Sequence, residues 1–259
     1  MSSILLNIKN NIAFVTLNRA DVFNSFNREM ALSLQTILDE CEADDSVRAI
    51  VLTGAGKAFC AGQDLKEVTS AELNPGFRAI LDEHYNPIIS RLRSIEKPII
   101  AAVNGVAAGA GANIALACDI VVANENAAFI QAFSKIGLVP DSAGTFFLPR
   151  LIGLQKATAL MMLGDKVGAK EAVELGMIYK SFPADQFEEE VNKLAETMAN
   201  MPTLALGLTK RLLNKSLTNS LEEQLAMESK LQIQAAESHD YNEGVTAFVE
   251  KRKPKFRGN

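Results

Sequence analysis

Residues 98–123, PIIAAVNGVAAGAGANIALACDIVVA, set the strongest limit on what this chain can fold into. A run this apolar has to leave water. It is interrupted at Asn104, Gly105, Gly109, Gly111, Asn113 and Asp119, so it never supplies the roughly 20 unbroken apolar residues of a membrane span. What remains is buried core: a strand, a small-residue turn opening a short helix, and a second strand. Strands apolar on both faces belong to sheets that are covered on both sides, which argues for an α/β protein.

The flanking sequence agrees. ILLNIKNNIAFVTLNR reads as two apolar-alternating strands around Asn10-Asn11, a hairpin signal. Met30, Leu34, Ile37 and Leu38 recur at helical spacing. VRAIVLTG is a strand, followed by the turn-rich AGKAFCAGQDL; a polar stretch over residues 69–76 precedes a helix in FRAILDEHYNPIISRLRSI. IVVANE and AAFIQ read as strands, and from Ala143 onward only helices are predicted. The expected organisation is a core domain over residues 1–200 and a C-terminal helical domain over 201–259. Such a helical appendage commonly packs on a neighbouring subunit.

Charge and composition narrow the function. A net charge of -5 and 22% charged residues exclude a broad basic surface for nucleic acid. The three cysteines, Cys41, Cys60 and Cys118, are too widely spaced for a metal cluster or a disulfide framework, which points to reduced thiols in a cytoplasmic protein. The N-terminus has neither the charged region nor the long apolar stretch expected of a secretory leader. No phosphate-binding loop, nucleophile elbow or zinc pattern is present, and no metal is expected. Of the two histidines, His239 reads as surface or structural and His84, beside Tyr85, as a candidate cavity lining.

Two small-residue turns carry more chemistry. FCAGQDL follows one strand; NGVAAGAGANIAL follows another and opens a helix. Small residues let a ligand approach the backbone, and two converging N–H groups would stabilise a developing oxyanion. Tight strand–helix packing is the competing explanation for either turn alone. Asp141, in KIGLVPDSAGTFFLPRL, reads locally as a helix N-cap.

GAGKAFCAGQDL, KPIIAAVNGVAAGAGANIALACDIVVA, KIGLVPDSAG, AVELGMI and EGVTAFVEKRKPKF together resemble the enoyl-CoA hydratase/isomerase (crotonase) superfamily, block by block and in its order from about residue 4 to the end. The resemblance implies a ββα-superhelix (spiral) core with a C-terminal α-helical trimerisation region. It also implies an acyl-CoA thioester substrate with no separate cofactor, and a homotrimer or dimer of trimers. By position, the oxyanion donors would be the backbone N–H groups of Gln63 and Ala110. CoA would run along Ala61, Gln63, Asp64 and Leu65, with Gly109, Gly111, Phe133 and Tyr85 completing the binding surface. Arg19 and, from the tail, Lys251 or Lys253 are the candidate phosphate partners.

The departures from the family pattern are informative. The two glutamates with which hydratases handle water fall here at Asn113 and Phe133. Adding water needs both a base and an acid, whereas a 1,3-proton shift needs one carboxylate that takes a proton and returns it. Asp141 stands where double-bond-shifting members such as the dienoyl-CoA isomerases carry an acid. An apolar surround of Phe133, Leu138, Phe146 and Phe147 would raise its pKa. LNRADVFNSFN, HYNPII, VNGVAAGAGA and AFSKIGLVPD are most similar to the branch that isomerises the ring epoxide of phenylacetyl-CoA. The expected activity is therefore CoA-thioester isomerisation: ring epoxide to oxepin, or 3-enoyl to 2-enoyl. A hydratase or hydrolase-like member is the runner-up, and a non-catalytic acyl-CoA-binding relative is the alternative from another class.

Overall fold

The computed structural model describes residues 2–259. It opens with the antiparallel pair β1 (Ile4–Lys9) and β2 (Ile12–Leu17). Asn10 and Asn11 join them with φ of 52° and 61°, the two left-handed positions a two-residue hairpin requires. α1 (Arg28–Ala43) begins where the Asn27 side chain accepts from the Met30 N–H at 3.0 Å. It buries Met30, Leu34 and Leu38, with Ile37 half-buried beside them.

One motif then repeats. The long strands β3 (Ala49–Gly54), β5 (Ile99–Val103) and β7 (Ile120–Asn124) are each followed by a short strand. These are β4 (Ala58–Cys60), β6 (Val106–Ala108) and β8 (Ala128–Ile130). Helix comes next: α2 (Leu65–Thr69) after β4, then α3 (Phe77–Ala79), a π-helical turn (Ile80–Tyr85) and α4 (Asn86–Ser94) before β5. α5 (Ala110–Leu116) follows β6, and a 3-10 turn (Ala132–Ile136) and α6 (Gly144–Ile152) follow β8. Each repeat adds one strand to each of two sheets. With β9 (Lys166–Gly168) and β10 (Lys180–Phe182) from further along the chain, the larger has the order β1-β2-β3-β5-β7-β10, parallel except for β1, and the smaller is β4-β6-β8-β9. Every residue of β5 and α5 is buried, so the apolar run is the centre of the core. Each fully buried Leu or Ile there contributes about 1.5–3 kcal/mol relative to exposure.

The expectation of helices alone after Ala143 needs correction. Between α7 (Leu154–Leu163), α8 (Ala169–Glu174) and α9 (Phe187–Ala199) the chain inserts β9 (Lys166–Gly168) and β10 (Lys180–Phe182). β9 runs antiparallel to β8, and β10 completes the larger sheet beside β7. Three-residue strands have too few positions to show a period of two, so only their partners define them.

The chain closes with α10 (Thr203–Ser216), α11 (Leu221–Ala236) and α12 (His239–Val249). Its tail is strapped down: the Asp240 carboxylate accepts from the Arg257 and Gly258 N–H groups at 2.7 Å, and Arg48 donates to the Phe256 carbonyl at 2.8 Å. No helix among the described residues is long and apolar enough to cross a membrane.

Candidate active site

A cavity of about 700 Å³ opens between α2, the π-helical turn, the start of α5 and the 3-10 turn after β8. Its walls are mainly apolar, with Leu65, Val68, Phe77, Ile80, Phe133 and Leu138 among them. Into it face Gln63, Tyr85, Ala110 and Asp141, all singled out from the sequence.

Gln63 forms a parallel bridge with Phe26. The bonds of that bridge are made by its neighbours: Phe26 N–H donates to the Gly62 carbonyl at 2.7 Å, and Asp64 N–H to the Phe26 carbonyl at 2.8 Å. In a parallel ladder this alternation turns the intervening residue's own N–H to the opposite side. The Gln63 N–H accordingly has no partner among the described residues. Its side chain is tied at both ends: Tyr85 Oη donates to Oε1 at 2.9 Å, and Nε2 donates to Glu67 Oε2 at 2.7 Å. The other Glu67 oxygen accepts from the Arg28 N–H at 2.8 Å. Burial, helped by the negative charges of Asp141, Glu67 and Asp64, holds the Tyr85 phenol well above its ordinary pKa. It is a neutral donor across the physiological range.

Opposite lies Ala110, the first residue of α5, whose N–H has no acceptor within the helix. α5 sits close to the Gln63 turn because Gly111 has no side chain: a Cβ there would lie 2.4 Å from the Cys60 carbonyl oxygen. Two free N–H groups thus belong to adjoining turns on one cavity.

Asp141 is the only carboxylate lining the cavity among the described residues. The helix-cap reading does not hold for its side chain. α6 has Ala143 as its N-cap with no side-chain hydrogen bond, and it is the Asp141 carbonyl that accepts from Gly144 N–H at 2.9 Å. The carboxylate accepts only from Ser142 Oγ, at 2.9 Å. Burial pushes the Asp141 pKa above its ordinary value, and the Ser142 hydroxyl pulls it partly back. Ser142 and Ala143 both lie in the left-handed region (φ 50° and 57°), which costs on the order of 1 kcal/mol for each non-glycine residue.

Other expected site residues lie elsewhere. Phe146 and Phe147 do not surround Asp141. α6 turns them to a separate cleft, where the Arg150 guanidinium sits 3.8 Å from the Phe146 ring centre and that of Arg93 5.5 Å from Phe147. Asp64 does not line the cavity; it caps α2 through the Lys66 N–H (2.9 Å) and pairs with Arg19 (2.8 Å). Arg19 is thereby engaged, donating also to the Ser25 carbonyl. Gly111 is buried against Cys60 behind the lining. Lys251 and Lys253 lie in the tail region around α12, away from the cavity lining. His84 is fully buried behind Tyr85, its Nε2 3.2 Å from an Arg28 nitrogen and its Nδ1 without a partner. Asn113 and Phe133 do occupy distinct places: Phe133 lines the cavity, while Asn113 lies beneath it at 1% exposure. The cation that lines the cavity is the exposed Lys135, which its place in AFSKIG does not signal.

Known proteins match this chain along its whole length. The Enoyl-CoA hydratase/isomerase family model matches residues 7–259. The 1,2-epoxyphenylacetyl-CoA isomerase of Escherichia coli K12 is 44% identical over 100% of this chain and 99% of its own. The 2,3-dehydroadipyl-CoA hydratase of the same organism is 35% identical, with all of both chains covered. Among solved structures, an enoyl-CoA hydratase from Bacillus anthracis superposes with a TM-score of 0.92 at 32% identity, covering 99% of this chain and 100% of that one.

Proposed function

This chain belongs to the enoyl-CoA hydratase/isomerase family, and its relatives are acyl-CoA isomerases and hydratases; from that premise we propose that it isomerises CoA thioesters by a proton shift through Asp141. One observation carries the reading: the cavity offers a single carboxylate, with a raised pKa and a nearly free side chain. The two positions at which the family's hydratases keep glutamates hold Asn113 and Phe133, neither of which carries protons.

On a 3-enoyl thioester, Asp141 removes a proton from C2. The electrons move to the thioester oxygen, which receives hydrogen bonds from the Gln63 and Ala110 N–H groups, and the resulting dienolate keeps its C3=C4 bond. Return of the same proton to C4 leaves the 2-enoyl product. On a ring-1,2-epoxyphenylacetyl thioester, the same base takes the α-proton as the bond between the epoxide carbons opens to the seven-membered oxepin, and the proton returns to the ring. Both reactions need a preorganised oxyanion site and one base that becomes an acid. The apolar walls suit a carbocyclic or aliphatic acyl group, and Lys135, the cation among the lining residues, is the one we assign to the CoA phosphates. Assembly as a trimer or a dimer of trimers belongs to the same proposal, and the exposed Phe248, Val249, Leu154, Met162 and Leu221 are the apolar side chains such an assembly could cover.

The test is Asp141→Asn, with both conversions followed by chromatography. General acid–base catalysis is worth roughly 10²- to 10⁴-fold, and that is the loss expected on both substrates. Full activity on both overturns the reading. Brisk hydration of crotonyl-CoA by the unaltered protein would favour the hydratase, which the 35% identity to a dehydroadipyl-CoA hydratase keeps in view.

A further inference from the structure

Asn113 does not face the cavity, yet it is polar and nearly fully buried. Its Nδ2 donates to the Asp141 carbonyl at 2.8 Å, and its Oδ1 accepts from Gln131 Nε2 at 2.8 Å. Gln131, at the end of β8, is 5% exposed. Three separate parts of the winding chain are thereby linked: the helix α5, the end of β8, and the turn that carries the acid.

We propose that Asn113 and Gln131 form a strut whose function is to hold the Asp141 turn, making both of them positioning residues for the proton shift. The inference rests on Asp141 being the acid–base group.

The polarity of the strut supports this. A backbone carbonyl can only accept, so the Asp141 carbonyl requires Asn113 to present its NH₂ end. Asn113 must then turn Oδ1 toward Gln131, and Gln131 must answer with its own NH₂. That leaves Gln131 Oε1 buried with no protein partner, which is the unfavourable end of the chain. The two amides are thus oriented to serve Asp141, at the expense of Gln131's own hydrogen bonding.

The turn needs such a hold. Ser142 and Ala143 are both left-handed without being glycine, a conformation that persists where surrounding contacts over-determine it. The Asp141 carbonyl is gripped twice, by Asn113 and by Gly144 N–H. Asn113 also fills the space beneath α6: a Cβ on Gly144 would lie 2.3 Å from its Nδ2. A relaxed turn would swing the Asp141 carboxylate relative to the two oxyanion donors, and small misplacements of a reacting group cost heavily.

The experiment compares Asn113→Leu, Gln131→Leu and Asn113→Asp with the unaltered protein on a 3-enoyl-CoA, recording kcat, KM and thermal stability. Asn113→Leu keeps the branched outline, with somewhat more bulk, and removes the donor. Misplacing a reacting group by about 1 Å costs on the order of 100-fold, so kcat should fall by roughly 10- to 100-fold while KM changes less than about twofold. Gln131→Leu leaves the donor but frees the Asn113 amide to flip, and its loss should be smaller. In Asn113→Asp the new carboxyl can donate to the Asp141 carbonyl only when protonated. Measured on folded protein at pH values above the Asp141 acid limb, its activity as a fraction of the unaltered protein's should therefore climb as pH falls, while the charge of its ionised form moves that limb upward.

In an Asp141→Asn background, Asn113→Leu should cost no further activity, because the turn then holds nothing to position. A kcat for Asn113→Leu equal to the unaltered protein's overturns the strut while leaving Asp141 intact as the base. Full activity of Asp141→Asn overturns the parent reading instead. If Asn113→Leu does not fold, Gln131→Leu and the pH ratio of Asn113→Asp decide: an unchanged kcat in the first and a flat ratio in the second refute the strut.

Discussion

The two walls of the cavity are held by different chemistry. The Gln63 wall is locked by a charged network in which the Glu67 carboxylate grips both the Gln63 amide and the Arg28 backbone, with the Tyr85 hydroxyl closing the other end. The Asp141 wall is held by neutral amides, Asn113 and Gln131, under apolar side chains. The difference follows from what each wall presents. A backbone N–H does not titrate, so charges can fix the Gln63 turn without altering its function. A carboxylate that must gain and lose a proton is sensitive to every charge within a few ångströms. A cation in Asn113's place would hold Asp141 ionised and weaken it as a base. Neutral struts position without tuning.

The largest effect that would test this contrast is removal of a backbone donor. Ala110→Pro is suited to it, because proline is tolerated at the first position of a helix, removes the N–H and sets a ring carbon in its place. Activity should fall by roughly 10²- to 10³-fold, as for other oxyanion donors, with the fold retained by circular dichroism. Equal activity would mean that Ala110 N–H meets no oxyanion.

Tyr85→Phe probes the lock on the Gln63 side. It leaves Gln63 Oε1 without its donor, a loss of about 1 kcal/mol or roughly fivefold in kcat. The acid limb of the pH–rate profile should not move, since the phenol is neutral and its loss removes no charge near Asp141. That limb should sit above the ordinary carboxylate pKa, activity falling as pH drops through it and Asp141 becomes protonated. A shift of the limb in Tyr85→Phe would show that the neutral hydroxyl itself tunes Asp141.

The smallest effect is on stability. Burial raises the pKa of Asp141 in the folded protein, so its folded state prefers the proton. Stability from this group is complete below the unfolded carboxylate pKa and is lost as pH rises through the folded one. Asp141→Asn, which cannot ionise, should melt a few degrees higher than the unaltered protein at pH 7. The gain should vanish in scans taken at or below about pH 4, the unfolded carboxylate range. No gain at pH 7 would mean that the ionised Asp141 is not strained by burial.

Features that depend on near neighbours in the chain are legible in the residue order itself. The left-handed Asn10-Asn11 turn, the buried strand–turn–helix of residues 98–123, and the turns carrying Gln63, Ala110 and Asp141 all announce themselves in short stretches. Conformational preference and apolar periodicity are local, and the family resemblance is itself a set of local motifs in order. The apolar neighbourhood of Asp141 is only half legible: Phe133 and Leu138 face the cavity, while Phe146 and Phe147 follow the phase of α6 to the arginines of another cleft.

What the winding of the chain decides are the partnerships across long separations. Arg19 is spent on Asp64, Tyr85 reaches back to Gln63, and β9 and β10 exist only beside β8 and β7. The cap motif read locally at Asp141 is not used by its side chain: Ala143 is the N-cap, the Asp141 carbonyl takes the Gly144 N–H, and the carboxylate accepts from Ser142. Residue order determines which groups are available and what backbone shapes they favour. Which hydrogen-bond acceptor lies within about 3 Å of which donor is settled only when the two sheets close around a common core, because that distance depends on the path of every residue between them.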